Sequence, residues 1–415
     1  MSQYFLGKFV FVNGICSFAS RKKESMNTIS ERIKKHFDGD VHILLIVILL
    51  SIVGVIIQFS AKGRLTMGGP FVPLQHLVKS LVILVGGFYA MGVFSRKDYL
   101  KSTKYVDLAL YGSWLLIGLA YLYGKEAGGA SRWLQLGPLS FMPSDMSKLC
   151  LTISLSKMFA ARQADPEAYD PAVLFVICFK LGVTCFLIFL SNFSTSVIVF
   201  VTSIVLMIFG RVPYKAIAIV LGIFISTGCG LIIAGVGQRA ETIKHRIEVY
   251  VKRMFGHPSK EEIELDDQGT NYQLKQSLYA IATGGLQPKG PGNSQFRFHL
   301  SQAESDFVYA IIVEEWGIVA GFLLPAMFMW LFWRGALAIS YSAKPLGGLM
   351  SAGLTFSIVS QAFLNMFVAV GAIPVTGQPI PLVSAGGTSL IFTMISIGYI
   401  LSVTRDKEKT KLART

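Results

Sequence analysis

Charge is thinly spread in this 415-residue chain: Asp, Glu, Lys and Arg make up 15% of it, against about a quarter in soluble globular domains. With 53% hydrophobic residues and a mean hydropathy of +0.56, that scarcity excludes both a solvated domain and a disordered, highly charged segment. Cysteine is scarce too: there are five and no CxxC pair, which argues against a disulfide framework or a thiolate zinc site. Cys150, Cys178, Cys185 and Cys229 lie in or beside apolar runs as small hydrophobes, and Cys16 lies near the start. The six His residues have no paired metal spacing. "GGLQPKGPGNS" lacks the GxxxxGK[ST] spacing of a nucleotide loop, so its glycines serve tight turns or close backbone approach. There is no repeat of fixed period. Nor is there a secretory signal, since residues 4–19 contain Lys8 and Asn13 and the basic "RKK" follows them; Met26 is an alternative start.

Apolar runs are what the chain has in abundance. Stretches suited to crossing roughly 30 Å of hydrocarbon occupy residues 41–59, 74–94, 106–123, 148–160, 172–190, 195–210, 216–236, 307–333, 346–372 and 382–403. The expected fold class is an all-α polytopic membrane protein of about ten transmembrane helices, with nine left open by the short 148–160 run and the narrow gap at 190–195. The +14 formal charge is distributed as a topology signal rather than a nucleic-acid surface: seven Lys or Arg precede residue 41 and five follow 403. Both termini are therefore expected in the cytoplasm, as tails 1–40 and 404–415 around a membrane domain 41–403.

The longest interspan segment, 237–305 between helices 7 and 8, then falls on the outer face, and its length marks it for function. "TIKHRIEVYVKRMF" within it places Ile243, Ile247, Tyr250, Val251 and Met254 at helical spacing, expected to lie on the membrane surface. "NYQLKQSLYAIATGG" has a similar period, and "SKEEIELDDQG" between them reads as a connector.

Four Gly- and Pro-rich stretches fall on that face: "GGASRWLQLGPLSFMPSDMSKL", "SNFSTS", the run 272–321 containing "GGLQPKGPGNS", "ESDF" and "EEWG", and "VAVGAIPVTGQPIPLVSAGGTSLI". Irregular backbone at membrane depth is tolerated only where protein or a wet cavity surrounds it, so the four predict one shared site. Over residues 40–403 these motifs, in this order, resemble the SEDS family (shape, elongation, division and sporulation) of peptidoglycan glycosyltransferases, and "GPGNS" is more like its division branch than its elongation branch.

The resemblance implies ten helices with a large outer loop, in a bacterial inner membrane. It implies inverting polymerisation of lipid II, with undecaprenyl diphosphate-linked glycan as the other lipid partner. A class B penicillin-binding protein and divisome proteins are the implied protein partners, and no nucleic acid. The family's essential Asp matches Asp306; its helix-4 acid and Lys match Asp145 and Lys148, and its "RW" Arg matches Arg132. Two positions depart from the family: Asp145 stands where Glu is usual, and Asn192 where Asp is usual, which removes a charge.

The chemistry fits those residue types. An acceptor hydroxyl must lose a proton as it attacks the anomeric carbon, and a carboxylate base contributes about 10² to 10⁴ in rate. Asp306 is the candidate catalytic residue; desolvation would raise its pKa and a nearby cation lower it, so the direction stays open. The departing diphosphate needs cations or backbone donors. Arg132, Asp145, Lys148, Arg246, Gln276, Lys289 and Asn293 are the substrate-binding candidates, with Lys275 and Arg297 as further cations. No cofactor is required outright; a divalent cation, Mg or Mn, between diphosphate and carboxylate is an alternative.

Structural roles compete. Asp306 with Ser305 can cap a helix, Asp145 can be a first-turn acid paired at i+3 with Lys148, and Glu314 and Glu315 read as anchors needing a cation or a proton. Lys180 is expected to snorkel to the cytoplasmic edge. Two other functions stay open: a flippase for a lipid-linked precursor, which would need polar groups through the bilayer depth, and a scaffold for division or elongation machinery.

Overall fold

The computed structural model describes residues 39–62, 71–126, 131–136, 139–163, 169–237, 240–255, 270–286, 288–298, 300 and 305–412. The N-terminal tail with Cys16 and Met26, and the acidic connector within 256–269, lie outside the described residues.

Lipid offers the backbone no hydrogen-bond partner, so long apolar runs close their own bonds as helices. These are α1 (Val41–Lys62), α2 (Phe71–Arg96), α3 (Val106–Tyr123), α4 (Pro143–Ala160), α5 (Pro171–Phe189), α6 (Phe193–Phe209) and α7 (Tyr214–Ile233), then α8 (Ala240–Phe255), α9 (Thr270–Gly284), α10 (Val308–Tyr341), α11 (Pro345–Ala369) and α12 (Thr388–Leu412). Among the described residues, eight helical stretches are long and apolar enough to cross a membrane, and α4 and α6 are not among them. Both match runs expected to span, but α6 has only 17 residues and α4 carries Asp145, Lys148 and a ladder of Ser and Thr. Protein encloses them: most residues of each are buried. The apolar windows of α11 and α12 are 72% buried, against 11% for α2 and α7, so α11 and α12 lie central and α2 and α7 face outward.

Several boundaries differ from the sequence reading. Helix α4 starts at Pro143 rather than 148, since proline at the first helical position loses no bond there. Helix α12 runs past Val403 through part of the expected basic tail. The all-helical expectation also needs correcting at "SRWLQLGPLSF", which forms β2 (Ser131–Leu136) and β3 (Leu139–Phe141) beside β1 (Lys125–Glu126), an antiparallel ribbon with Leu134 opposite Phe141.

The helix directions alternate, so the described residues of the segments between α3 and α4, α5 and α6, α7 and α10, and α11 and α12 collect at one end. At the other end Arg334 pairs with Asp40, Thr404 Oγ1 accepts from the Asp40 amide at 3.0 Å, and Ser402 Oγ donates to Lys97 O at 2.7 Å, closing α1, α2, α10 and α12 together. Lys180 does not snorkel: it is 6% exposed and its Nζ lies 2.7 Å from Asp107 Oδ1 and 3.0 Å from Ser154 Oγ. A half-buried counter-anion holds it better than a reach to the membrane edge.

Candidate functional site

Asp306 lies in the turn before α10, half-buried. Ser305 Oγ donates to its Oδ1 at 2.9 Å. On the other side a Cβ at Gly377 would stand 3.1 Å from its Oδ2, and Gly377 has φ +68°, so both the turn and the close approach call for glycine. The N-cap position of α10 falls to Phe307, which makes no side-chain capping bond.

The segment 370–387 facing Asp306 has little regular structure of its own and is fastened by side chains of α1, α6, α8 and α11. From α8, Arg246 Nη1 donates to Val375 O at 2.8 Å and Tyr250 OH to Ala372 O at 2.7 Å. The amphipathic helix expected there is present, but Ile247 and Val251 point outward while Arg246 and Tyr250 hook onto the loop. From α11, Asn365 Nδ2 donates to Asp306 O at 2.8 Å and to Gln378 O at 2.6 Å, tying the acid's own backbone to the loop. Gln378 Nε2 reaches Asn192 Oδ1 at 3.0 Å, and that oxygen also accepts from the Thr195 amide at 3.3 Å, so Asn192 acts as the N-cap of α6. Here the amide does structural work that needs no charge.

Lys148 joins the same hub from α4. Its Nζ donates to Gln361 Oε1 at 2.7 Å and lies 3.4 Å from Asp145 Oδ1, while Gln361 Nε2 donates to Pro379 O at 3.1 Å. The i,i+3 pair is therefore one link in a chain from α4 to the loop. Arg132 sits half-buried on β2, and its neighbour Trp133 lines a cavity of about 300 Å³ bounded by α1, α2 and the start of α12.

Other candidates are drawn elsewhere. Glu314 is fully buried and takes Lys289 Nζ at 2.7 Å, Ser294 Oγ at 2.5 Å and the Gln295 amide at 2.9 Å, while Asn293 Nδ2 donates to Lys289 O. Lys289 and Asn293, expected to bind substrate, thus secure the Gly-rich loop to α10. That helix breaks at Gly317 (φ +79°), which frees Glu315 O to accept from the Gly290 amide at 2.9 Å. The anchoring role expected of Glu314 holds, and Ser60 Oγ meets Glu315 Oε1 at 2.5 Å. Gln276 is half-buried on α9, beside Ser277, which donates to Ala369 O. Arg297 is 2% exposed with Nη1 on Ser60 O at 2.6 Å, a buried strut. The turn role open to the Gly-rich stretch is realised at Gly290 and Gly292, both left-handed.

Sequence reasoning missed Gln361, Asn365 and Gln378. For Gln361 and Asn365 the available signal was an isolated amide inside a mostly apolar helix, which must find buried partners.

A many-helix bundle that spans the membrane and gathers a half-buried acid, cations and tethered irregular backbone at one end defines a polytopic membrane protein with a site at its rim. The chain belongs to the FtsW/RodA/SpoVE family of cell cycle proteins, whose model matches residues 40–409. It is 29% identical over 372 residues to a probable peptidoglycan glycosyltransferase FtsW of Alkalilimnicola ehrlichii, covering 88% of each chain. Its fold is similar to that of a chain in a peptidoglycan synthase complex studied for the coordination of polymerization and crosslinking (TM-score 0.69, 21% identity, 89% of this chain and 98% of that one). The rod shape determining protein RodA of Thermus thermophilus is similar as well (TM-score 0.61, 22% identity, 89% and 97%).

Proposed function

We propose that this protein is a peptidoglycan glycosyltransferase of cell division that polymerises lipid II, with Asp306 as general base. The observation that carries the reading is the seating of Asp306, half-buried, with one oxygen on Ser305 and the other against a glycine that leaves it room. In the reaction the Asp306 carboxylate takes the proton of an acceptor sugar hydroxyl, whose oxygen forms a bond to the donor's anomeric carbon on the face opposite the leaving group. The bond from that carbon to the diphosphate oxygen breaks, and undecaprenyl diphosphate leaves with the electron pair. Arg246, bonded to the 370–387 loop through Val375 O, and Arg132 on β2 are the cations we assign to meet its charge.

Among the described residues no three His, Cys, Asp or Glu side chains gather as a metal cage. A divalent cation, Mg or Mn, would take most of its ligands from the diphosphate, and no step here runs through it. The chain would sit in a bacterial inner membrane with both termini in the cytoplasm, beside a class B penicillin-binding protein that cross-links the strands. Against a flippase, Lys180, Lys148 and Glu314 are closed into pairs with Asp107, Asp145 and Lys289 and do not line an open path. The test is purified protein with lipid II: glycan ladders on a gel support the reading, and translocation in vesicles without polymer contradicts it.

A further inference from the structure

The cavity of about 300 Å³ beside β2 and β3 is separate from the chemistry described so far. It is lined by Ser51 of α1, Lys79 of α2, Ser384 and the first residues of α12. Ser384 is its link to Asp306: the hydroxyl that faces this cavity donates to Ser305 O at 2.9 Å.

Three independent features make its polar wall suited to an anion. Lys79 has no ion pair or hydrogen bond with any described residue, whereas Lys148, Lys157, Lys180 and Lys289 each have an acidic partner. Ser51 is 2% exposed, yet its hydroxyl has no hydrogen-bond partner. A buried hydroxyl left so costs on the order of 1–3 kcal/mol, and a ligand atom in the cavity would relieve it. Finally, α12, 25 residues long, opens there at Gly386, Gly387 and Thr388 and presents the positive end of its dipole, its Ser389 and Leu390 amides turning back onto Gly386 O and Gly387 O.

The remaining wall is apolar, including Val55, Ile83 and Leu390, and Val78, Val82 and Val85 next to Lys79 on α2 are more than half exposed, as side chains facing lipid are. Lys79 is the third residue of the apolar window Leu77–Arg96, close to its N-terminal end. An anion on a hydrocarbon tail can enter from the bilayer without leaving it.

We propose that this cavity holds the diphosphate of one of the two polyprenyl-linked sugars, gripped by Lys79 and the Ser51 hydroxyl at the positive end of the α12 dipole. The inference rests on the reading of the substrate given above and adds a cation, Lys79, to the groups that meet the leaving diphosphate.

Full-length protein in nanodiscs of neutral phosphatidylcholine, titrated with undecaprenyl diphosphate, tests it, with phosphatidylglycerol and inorganic pyrophosphate as comparison ligands. Lys79→Met should weaken undecaprenyl diphosphate binding about ten- to a hundred-fold, Lys79→Arg should stay within a few-fold of the parent, and all should melt at the parent temperature. Equal binding by Lys79→Met overturns the proposal, as does phosphatidylglycerol or pyrophosphate binding as tightly as undecaprenyl diphosphate. Lys79→Met that binds normally, in a protein that still polymerises lipid II, sinks this site alone. A parent protein that makes no polymer sinks the functional reading instead.

Discussion

Gly377→Ala is a small perturbation aimed at the proposed base. Two costs follow from the structure. The backbone at 377 has φ +68°, a conformation that costs an L-residue about 1–2 kcal/mol. The new methyl would also stand 3.1 Å from Asp306 Oδ2, so the carboxylate must give way by a few tenths of an ångström, and its other oxygen is held by Ser305. A proton acceptor displaced by up to about 1 Å loses up to about a hundred-fold in rate. Gly235→Ala is the control, since Gly235 has nearly the same φ, +71°, but nothing within 4 Å of its added Cβ. In a lipid II polymerisation assay we expect Gly377→Ala to lose about ten- to a hundred-fold and Gly235→Ala to keep its rate, with similar small losses of thermal stability. Equal activity of the two variants would refute the argument that this glycine exists to seat the acid.

Other consequences concern the anchors. Lys289→Met strands the buried Glu314 carboxylate and should cost about 3 kcal/mol in unfolding experiments, much of it recovered by adding Glu314→Gln. Gly284→Ala would drive its Cβ into Val313 O, a backbone atom that cannot turn aside; expression and melting temperature should fall sharply, and a normal melt contradicts the packing of α9 on α10. Asn365→Ala removes donors to both Asp306 O and Gln378 O, and should cut polymerisation more than stability, as seen by comparing rate with melting temperature. Asn192→Asp should leave activity within a few-fold, because the position caps α6 through its oxygen, which the carboxylate keeps.

Most helices could be read from the sequence because hydrocarbon permits little else: each of the ten apolar runs became a helix, and the four irregular motifs do meet at one end. The ribbon at 131–136 and 139–141 could not, since its strands are too short to show an alternating pattern. Asp306 stood out because a charge at the start of an apolar run is expensive. The amides that position it did not: Gln361, Asn365 and Gln378 look like scattered polar residues until α11 is packed against the 370–387 loop. Likewise Lys289 read as an available cation and Lys180 as a snorkelling one because their partners, Glu314 and Asp107, lie 25 and 73 residues away. A spacing argument sees one face of a helix and not the contact across the bundle.

The most direct measurement is the rate of lipid II polymerisation by purified Asp306→Asn, which keeps the shape of the side chain and its bond to Ser305 while removing the base. The account predicts a loss of about 10² to 10⁴ in rate with an unchanged melting temperature. Glycan ladders formed at the parent rate would contradict it.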